Sequence, residues 1–263
     1  MKKADIVDFR TLKREDVMMF LKEQMPRSVY LIGDMVSGHE NLTMFAALEE
    51  SKIAGIILYY WGVPGTGIIW ILGNHGTVDR FIDGLEEGTF AILVPIESGK
   101  KLKERFEDIR SYPEYIMKLT EQAADNHGGD DVRILGSDDL AQWGYLKTER
   151  KTFSREENDQ FLKNLKEQTC FGLFVGGTLV SGAMIETGTS EIAVIGSVKT
   201  LSNHRNKGYA TALMASVARH CSNNGQEVYL FVRKDNLPAI RSYRKVGFTI
   251  VDEILISYLG MEI

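Results

Sequence analysis

A strand, a turn and an amphipathic helix follow one another between residues 191 and 225, and this unit restricts the possible folds more than any other part of the chain. The segment "EIAVIGSVKT" (191–200) is apolar and rich in β-branched residues, which is typical of a strand. Apolar residues then recur at i, i+3, i+4, i+7, i+8 and i+11 from Ala210 to Cys221, a spacing that predicts a helix with one buried face. Asn224 and Gly225 end this helix. A strand that leads directly into a helix indicates an α/β sheet.

The turn between that strand and that helix predicts an anion-binding site. The segment "SNHRNKGYATALM" (202–214) places Arg205, Lys207 and Gly208 before the helix, and it contains no Asp or Glu. Because the N-terminus of a helix carries partial positive charge, cations gathered there predict an external anion as their partner. The small residues Gly208 and Ala210 let such an anion approach the backbone N–H groups. The turn is not a Walker A sequence and lacks the third glycine of a dinucleotide fingerprint, so neither of those ligands is the first choice.

The first half of the chain alternates strands and helices. A helix around residues 13–24 precedes a hairpin over 44–62, in which two apolar runs flank "EESK". Further strands are predicted at 67–72, 89–95 and 115–120, and further helices at 77–87, with Thr77 as the N-cap, and at 100–109. The polar segment "EQAADNHGGDD" (121–131) is the best domain boundary.

The second half predicts the same plan. A capping box formed by Ser154 and Glu157 opens a helix, and a hairpin turns at Gly176 and Gly177. The strand–turn–helix unit described above follows, and then a strand at 227–232, a helix and a strand at 248–259. We therefore predict a mixed α/β sheet in each of two domains, 1–125 and 131–263, which share one ancestral plan. The alternative is that any two α/β segments look alike at this level of detail.

Composition and charge exclude several classes of protein. The 263 residues carry a net charge of −5, which does not suggest a nucleic-acid partner. The longest apolar run, residues 53–63, is too short to cross a bilayer, and the first residues lack the apolar segment of a signal peptide, so we expect neither. Cys170 and Cys221 form no CxxC pair and the five histidines are scattered, so neither a disulfide framework nor a metal site is expected. We expect a soluble cytoplasmic protein.

Two segments resemble the GNAT superfamily of N-acetyltransferases. "SVKTLSNHRNKGYATALM" (197–214) is similar to its acetyl-CoA-binding signature R/Q-x-x-G-x-G/A, with Arg205, Gly208 and Ala210 in the matching positions. "DNLPAIRSYRKVGF" (235–248) matches the family pattern N-x-x-A-x-x-x-Y-x-x-x-G-F. The segments follow in the family's order, separated by one strand. The clear resemblance covers about residues 131–263, and in the first half it is architectural only.

The resemblance implies an α/β (α+β) fold with two GNAT-like mixed-sheet domains, the C-terminal one with a splayed central sheet that binds acyl-CoA. Acetyl-CoA is then the acyl donor. Backbone amides of residues 206–211 would hold its pyrophosphate, and main-chain groups of Val198 and Thr200 would pair with its pantetheine arm like an added strand. The full set that the resemblance assigns to the donor is Val198, Lys199, Thr200, Arg205, Asn206, Lys207, Gly208, Tyr209, Ala210, Thr211, Asn236, Ala239 and Tyr243.

The resemblance also assigns the proton transfers. Tyr243 would protonate the departing thiolate, and a phenol with a pKa of about 10 is protonated at neutral pH. A backbone N–H on the strand that carries Val198 would stabilise the oxyanion. Many relatives place a glutamate in the middle of this strand, where the present chain has residues 193–195, all apolar. Glu186, on the preceding strand, is the candidate base, with Glu191, a water chain or an already neutral amine as alternatives.

Ordinary structural roles compete with several of these assignments. Tyr243 could be a half-buried residue of an amphipathic helix, Arg205 and Lys207 could be solvated charges, and Asn236 reads more readily as a helix cap than as a ligand. In the first half, the corresponding segment "LGNHGTVDRF" (72–81) lacks Arg-x-x-Gly-x-Ala, and Asp79 would repel a pyrophosphate. We therefore expect no CoA site there.

The function favoured by the sequence is an acetyl-CoA-dependent N-acetyltransferase, in which a primary amine attacks directly within a ternary complex. The acceptor would be a small-molecule or peptide amine, and the protein would be a monomer or a homodimer. Two alternatives stay open: a non-catalytic acyl-CoA-binding or regulatory module, and a transferase that uses a longer acyl or an aminoacyl donor.

Overall fold

The computed structural model describes residues 5–38, 41–63, 66–121 and 131–261, and these form two compact units. The first unit comprises the described residues up to Ile116 together with those from Val251 onward, and the second runs from Met117 to Ile250. Most of the segment proposed as the domain boundary lies outside the described residues. The division into domains 1–125 and 131–263 therefore stays a prediction.

The first unit is built on a mainly antiparallel sheet. Its strands are β1 (Asp5–Asp8), β2 (Leu42–Glu49), β3 (Lys52–Val63), β4 (Thr66–Gly73), β5 (Phe90–Val94), the start of β6 (Arg110–Leu119) and the end of β12 (Phe248–Leu259). Its helices are α1 (Arg14–Glu23), α2 (Val29–Ser37), α3 (His75–Asp83) and α4 (Gly99–Arg105). The order β1-β2-β3-β4-β5-β12 is antiparallel except between β4 and β5, which run parallel.

The core of the first unit lies between this sheet and α3 and α4. Val78, Phe81 and Ile82 of α3 are buried there, as their helical spacing predicts. The predicted N-cap was wrong: α3 begins at His75, and its cap is Asn74, whose Oδ1 accepts the backbone N–H of Thr77 at 2.9 Å. Asn and Thr are both favourable caps, but Asn74 stands three residues earlier and places its oxygen over the first turn.

The second unit contains β7 (Val132–Ile134), α5 (Leu140–Thr148), α6 (Arg155–Glu167), β8 (Thr169–Val175), β9 (Thr178–Gly188), β10 (Ile192–Thr200), α7 (Tyr209–Asn223), β11 (Glu227–Arg233) and α8 (Leu237–Val246). Its sheet order is β7-β8-β9-β10-β11, with β10 and β11 parallel and the other pairs antiparallel. The capping box of Ser154 and Glu157 and the hairpin turn at Gly176 and Gly177 are confirmed.

Both units follow one plan. Three antiparallel strands lead into a helix, which returns to a strand parallel to the third: β2-β3-β4-α3-β5 in the first unit and β8-β9-β10-α7-β11 in the second. The predicted mixed α/β fold is therefore confirmed. None of the helices in the described ranges has the length and apolar character of a membrane span.

The sheet of the second unit is splayed in its middle. Strand β10 pairs with β11 over Ile192–Ile195, yet it continues along β9 as far as Thr200. Its register against β9 shifts between Gly196 and Lys199, and Ser197 adopts a φ of +53° within this bulge. A bulge bends its strand and increases the local twist, so the second half of β10 turns away from β11. This leaves an open strand edge directly before the turn that leads into α7.

Candidate active site

A cleft of about 720 Å³ opens in the second unit, beside the splayed strands. It is lined by the end of β10, the turn that follows, the start of α7 and one side of α8 along most of its length. Every residue that the resemblance assigns to acetyl-CoA lines this cleft except Lys207, which lies exposed on the turn. The two signature segments, separate in sequence, therefore meet at one site.

The start of α7 is open to this cleft. Gly208 is the N-cap and has a φ of +85°, a left-handed conformation that favours glycine, and Asn206 has a φ of +62°. A Cβ at Gly208 would meet nothing within 4 Å, so the chain leaves space at the helix start. The first turn of α7 contains no acidic residue and receives no side-chain cap at Gly208. Its N–H groups are therefore available to an anion from outside the chain.

The turn does have a carboxylate beside it, which corrects the view taken from the sequence. Glu149 accepts hydrogen bonds from the Ser202 backbone N–H at 3.3 Å and from the Ser202 hydroxyl at 2.5 Å. The Arg205 guanidinium lies 3.9 Å from Glu149 and donates from Nε to the Thr200 carbonyl at 3.2 Å. These hydrogen bonds, with the nearby cations Lys199 and Arg205, hold the pKa of Glu149 below its usual range. Arg205 is therefore partly engaged in anchoring the turn.

Two further cations line the cleft and were missed at the sequence level. Arg241 and Lys245 stand four residues apart on α8, on one face of the helix, and both contribute to the cleft wall. Their i, i+4 spacing is visible in "DNLPAIRSYRKVGF", although nothing in the spacing alone says which way that face points. With Lys199 and Arg205, they surround the helix start with positive charge.

Helix α8 positions Tyr243. The helix is capped by Asn236, whose Oδ1 accepts the Ala239 N–H at 3.3 Å. The prediction that Asn236 is a helix cap is therefore confirmed, and Asn236 also lines the cleft. Tyr243 is 7% exposed and packs edge-to-face against Phe248, with ring centroids 6.2 Å apart. Burial, and then the negative charge of Glu186, raises the pKa of Tyr243 to about 12.

Glu186 lies against the middle of β10. A Cβ built on Gly196 would come within 2.1 to 2.3 Å of the Glu186 carboxyl group, so the missing side chain at Gly196 makes room for that carboxylate. Glu186 does not itself line the cleft, but its charge acts on the buried Tyr243. Glu191 is exposed at the start of the strand. Of the two carboxylates considered as a base, the structure brings Glu186 toward the site.

One lysine beside the bulge of β10 was not singled out from the sequence. Lys147, at the end of α5, donates from Nζ to the Ser197 carbonyl at 2.5 Å, inside the bulge of β10. Burial lowers the pKa of Lys147 to about 8, although Glu186 opposes that shift. In the described part of the chain, no three His, Cys, Asp or Glu side chains converge as a metal site requires.

Comparison with known proteins finds a family model that matches part of the second unit and a relative that is similar to part of the chain. Residues 138–248 match the model of the acetyltransferase (GNAT) family. The N-alpha-acetyltransferase of Saccharolobus solfataricus is 34% identical over 103 residues, which is 34% of this chain and 62% of that protein. The chain thus spans less than two thirds of the length of this curated relative.

Two solved structures share the fold over nearly the whole chain. A GNAT-family acetyltransferase from Colwellia psychrerythraea matches with a TM-score of 0.61 at 12% identity, covering 97% of this chain and 100% of that one. A tandem GNAT protein from the clavulanic acid biosynthesis pathway matches with a TM-score of 0.59 at 13% identity, covering 99% of this chain and 100% of that one.

The family model and the solved structures agree on one fold, that of the GNAT proteins. The resemblance drawn from the two motifs is confirmed, since residues 138–248, which include both motifs, match the model of the GNAT acetyltransferases. The first unit shares the architecture, as in the tandem GNAT protein, and this likeness concerns the fold alone.

Proposed function

We propose that this protein transfers an acetyl group from acetyl-CoA to a primary amine, which attacks the thioester directly within a ternary complex. The observation that carries the proposal is that both signature segments line one cleft, whose walls include the end of β10, the open start of α7 and the buried Tyr243. The cleft fits an acyl-CoA because it joins an anion site to an unpaired strand edge.

The chain's own groups account for binding of the donor. Backbone N–H groups of residues 206–211 would hold the pyrophosphate at the start of α7, where the helix dipole favours negative charge. Main-chain groups of Val198 and Thr200 lie on the open edge of β10 and would pair with the pantetheine arm. Arg241 and Lys245 add positive charge on the opposite wall, which suits the remaining phosphate.

Tyr243 is suited to be the acid. At neutral pH its hydroxyl is protonated, since its pKa is raised to about 12. It would donate that proton toward the sulfur as the carbon–sulfur bond breaks, so that the thiolate does not leave as a bare anion. The Val198 N–H would stabilise the oxyanion that forms on the thioester carbonyl.

Glu186 is the base we propose. The attacking nitrogen must give up a proton as the carbon–nitrogen bond forms, and the Glu186 carboxylate would receive it through water, since it stands behind Gly196 rather than on the cleft wall. The products are the N-acetylated amine and the free thiol of CoA.

Direct attack, rather than an acetylated enzyme, is supported by the two cysteines. Cys170 and Cys221 are fully buried, and burial raises the pKa of each thiol to about 11. A thiol with so high a pKa is almost entirely protonated at neutral pH and is a poor nucleophile. Neither therefore serves as a covalent carrier.

Steady-state kinetics with a panel of acceptors tests this function. The relative in Saccharolobus solfataricus is an N-alpha-acetyltransferase, so peptides with free N-termini are the first acceptors to try, followed by small amines. We expect release of CoA thiol that requires both acetyl-CoA and an amine, intersecting initial-rate lines, and no mass increase of the enzyme with acetyl-CoA alone. Thiol release from a longer acyl-CoA but not from acetyl-CoA would mean that the donor carries a longer acyl group. Binding of acetyl-CoA without turnover of any acceptor would mean that the protein is a non-catalytic acyl-CoA-binding module.

A further inference from the structure

The bulge of β10 leaves two residues, Ser197 and Val198, without a register partner in β9. The register of β10 against β9 runs to Gly196 and resumes at Lys199, and Ser197 lies between them with a φ of +53°. A non-glycine residue in this left-handed region is uncommon and persists where surrounding contacts stabilise it. The carbonyl of Ser197 therefore needs a partner other than a neighbouring strand.

Lys147 is that partner. Its Nζ donates to the Ser197 oxygen at 2.5 Å, and it lies 4.2 Å from the centroid of the fully buried Trp143 ring. A second hydrogen bond joins the same two segments. Lys199, two residues after Ser197 on β10, donates from Nζ to the Lys147 carbonyl at 2.7 Å. These two hydrogen bonds connect the end of α5 to the bulge of β10. In the first of them, the positive charge of Lys147 lies against the peptide group between Ser197 and Val198.

The other end of that peptide group is the Val198 N–H. In a trans peptide the carbonyl and the N–H point in opposite directions, so a cation on the Ser197 oxygen lies behind the N–H that Val198 presents. Val198 lines the cleft. A charge-assisted hydrogen bond to a carbonyl polarises the whole amide and strengthens its N–H as a donor, because hydrogen bonds in a chain reinforce one another.

We propose that Lys147 is a positioning residue, which holds the Ser197–Val198 peptide in place and polarises it so that the Val198 N–H binds the thioester oxygen more strongly as charge develops there. The inference rests on the proposed function, since that oxygen belongs to the bound acyl-CoA. It assigns a role to a residue of α5 that lies outside both signature segments.

The surroundings of Lys147 make this contribution depend on pH. The charged and titratable groups that act on it are Glu186 on β9, Cys170 on β8 and Lys199 on β10. Burial lowers the pKa of Lys147 to about 8, with Lys199 adding to that effect and Glu186 opposing it. The ammonium form is therefore present below about pH 8 and is lost above it, and the polarisation of the peptide is lost with it.

Infrared difference spectroscopy of acetyl-CoA labelled with ¹³C at its carbonyl measures this polarisation without an acceptor. Bound to the wild type near pH 7, the carbonyl band should lie below its frequency in water, since a strong donor weakens the C=O bond. In Lys147→Met the band should return toward its frequency in water. In Lys147→Arg, which keeps a positive charge, the band should lie between those of the wild type and Lys147→Met. Lys163→Met, an exposed lysine of α6 paired with Glu167, should match the wild type. An unchanged band in Lys147→Met would overturn the proposal.

Two further readouts separate polarisation from a merely structural role. The wild-type band should move toward the free frequency between about pH 7 and pH 9, with no such movement in Lys147→Met. Turnover should show a kcat about tenfold lower in Lys147→Met with little change in the KM for acetyl-CoA, a smaller loss than removal of an oxyanion donor itself. A pH-independent wild-type band would contradict the inference. A wild type that binds no acetyl-CoA would instead overturn the proposed function, and the two failures are therefore distinguishable.

Discussion

Helices α3 and α7 occupy equivalent places in the two units, but their first turns are completed differently. Each follows the third strand of an antiparallel set and leads into a parallel strand. The start of α3 is capped by the chain itself, through Asn74, and His75 pairs with Asp79 one turn on at 3.2 Å. The start of α7 has Gly208 in place of a side-chain cap. Equal topology therefore does not imply an equal site, and between these two helices the missing cap marks the one that we propose to bind a ligand.

The largest change in activity is expected from Tyr243→Phe. This substitution keeps the ring packed against Phe248 and removes the proton donor, so kcat should fall by about 10² to 10³ while binding of acetyl-CoA is nearly unchanged. The matched control in the first unit is Tyr258→Phe, which should leave turnover as it is. A Tyr243→Phe enzyme with wild-type kcat would remove the acid from our mechanism.

Glu186→Gln should lower kcat by about 10- to 100-fold, because it removes the base and keeps the shape of the side chain. It should also lower the pKa of Tyr243 from about 12, since the negative charge of Glu186 disfavours the phenolate, although burial keeps that pKa above the ordinary value. Ultraviolet titration of the phenol measures this shift directly.

Glu191→Gln is the control for that experiment. Glu191 is exposed at the start of β10, so its neutralisation should change neither kcat nor the tyrosine titration. If Glu191→Gln lost activity and Glu186→Gln did not, the assignment of the base would be reversed.

Substitutions at the helix caps should have the smallest effects, and they test whether the two units differ in binding of acetyl-CoA. Asn74→Ala and Asn236→Ala each remove a cap and should each lower the free energy of unfolding by about 1 kcal/mol. Asn236→Ala should in addition weaken binding of acetyl-CoA, because Asn236 lines the cleft, whereas Asn74→Ala should not. Denaturant unfolding and calorimetric titration of both variants measure the two effects separately. Equal loss of binding in both variants would mean that the units are not functionally distinct.

The local features of the fold could be predicted from the sequence, since neighbouring residues determine them. The turn at Gly176 and Gly177, the capping box of Ser154 and Glu157 and the apolar face of α7 are signals contained within a few residues. The N-cap of α3 was misassigned because two favourable capping residues, Asn74 and Thr77, stand three positions apart.

The features that were missed depend on contacts between distant segments. The pairing of Leu255 with Val94, which joins the end of β12 to β5, has no local signature. The same holds for the carboxylate of Glu149 beside Ser202 and for the ammonium of Lys147 on Ser197, since each pair is about 50 positions apart and meets only through the tertiary fold. The motifs therefore located the cleft, and the groups that support its walls emerged only from the structure.

Calorimetric titration of acetyl-CoA into the wild type, Gly208→Glu and Gly225→Glu tests the central claim most directly. Both glycines have a left-handed φ, +85° and +77°, and open space around the missing Cβ, but they lie before and after the same helix. We predict binding at one site per chain in the wild type and in Gly225→Glu, and its loss in Gly208→Glu, where the new carboxylate stands at the start of α7. Equal binding by both variants, or a second site per chain, would contradict the account.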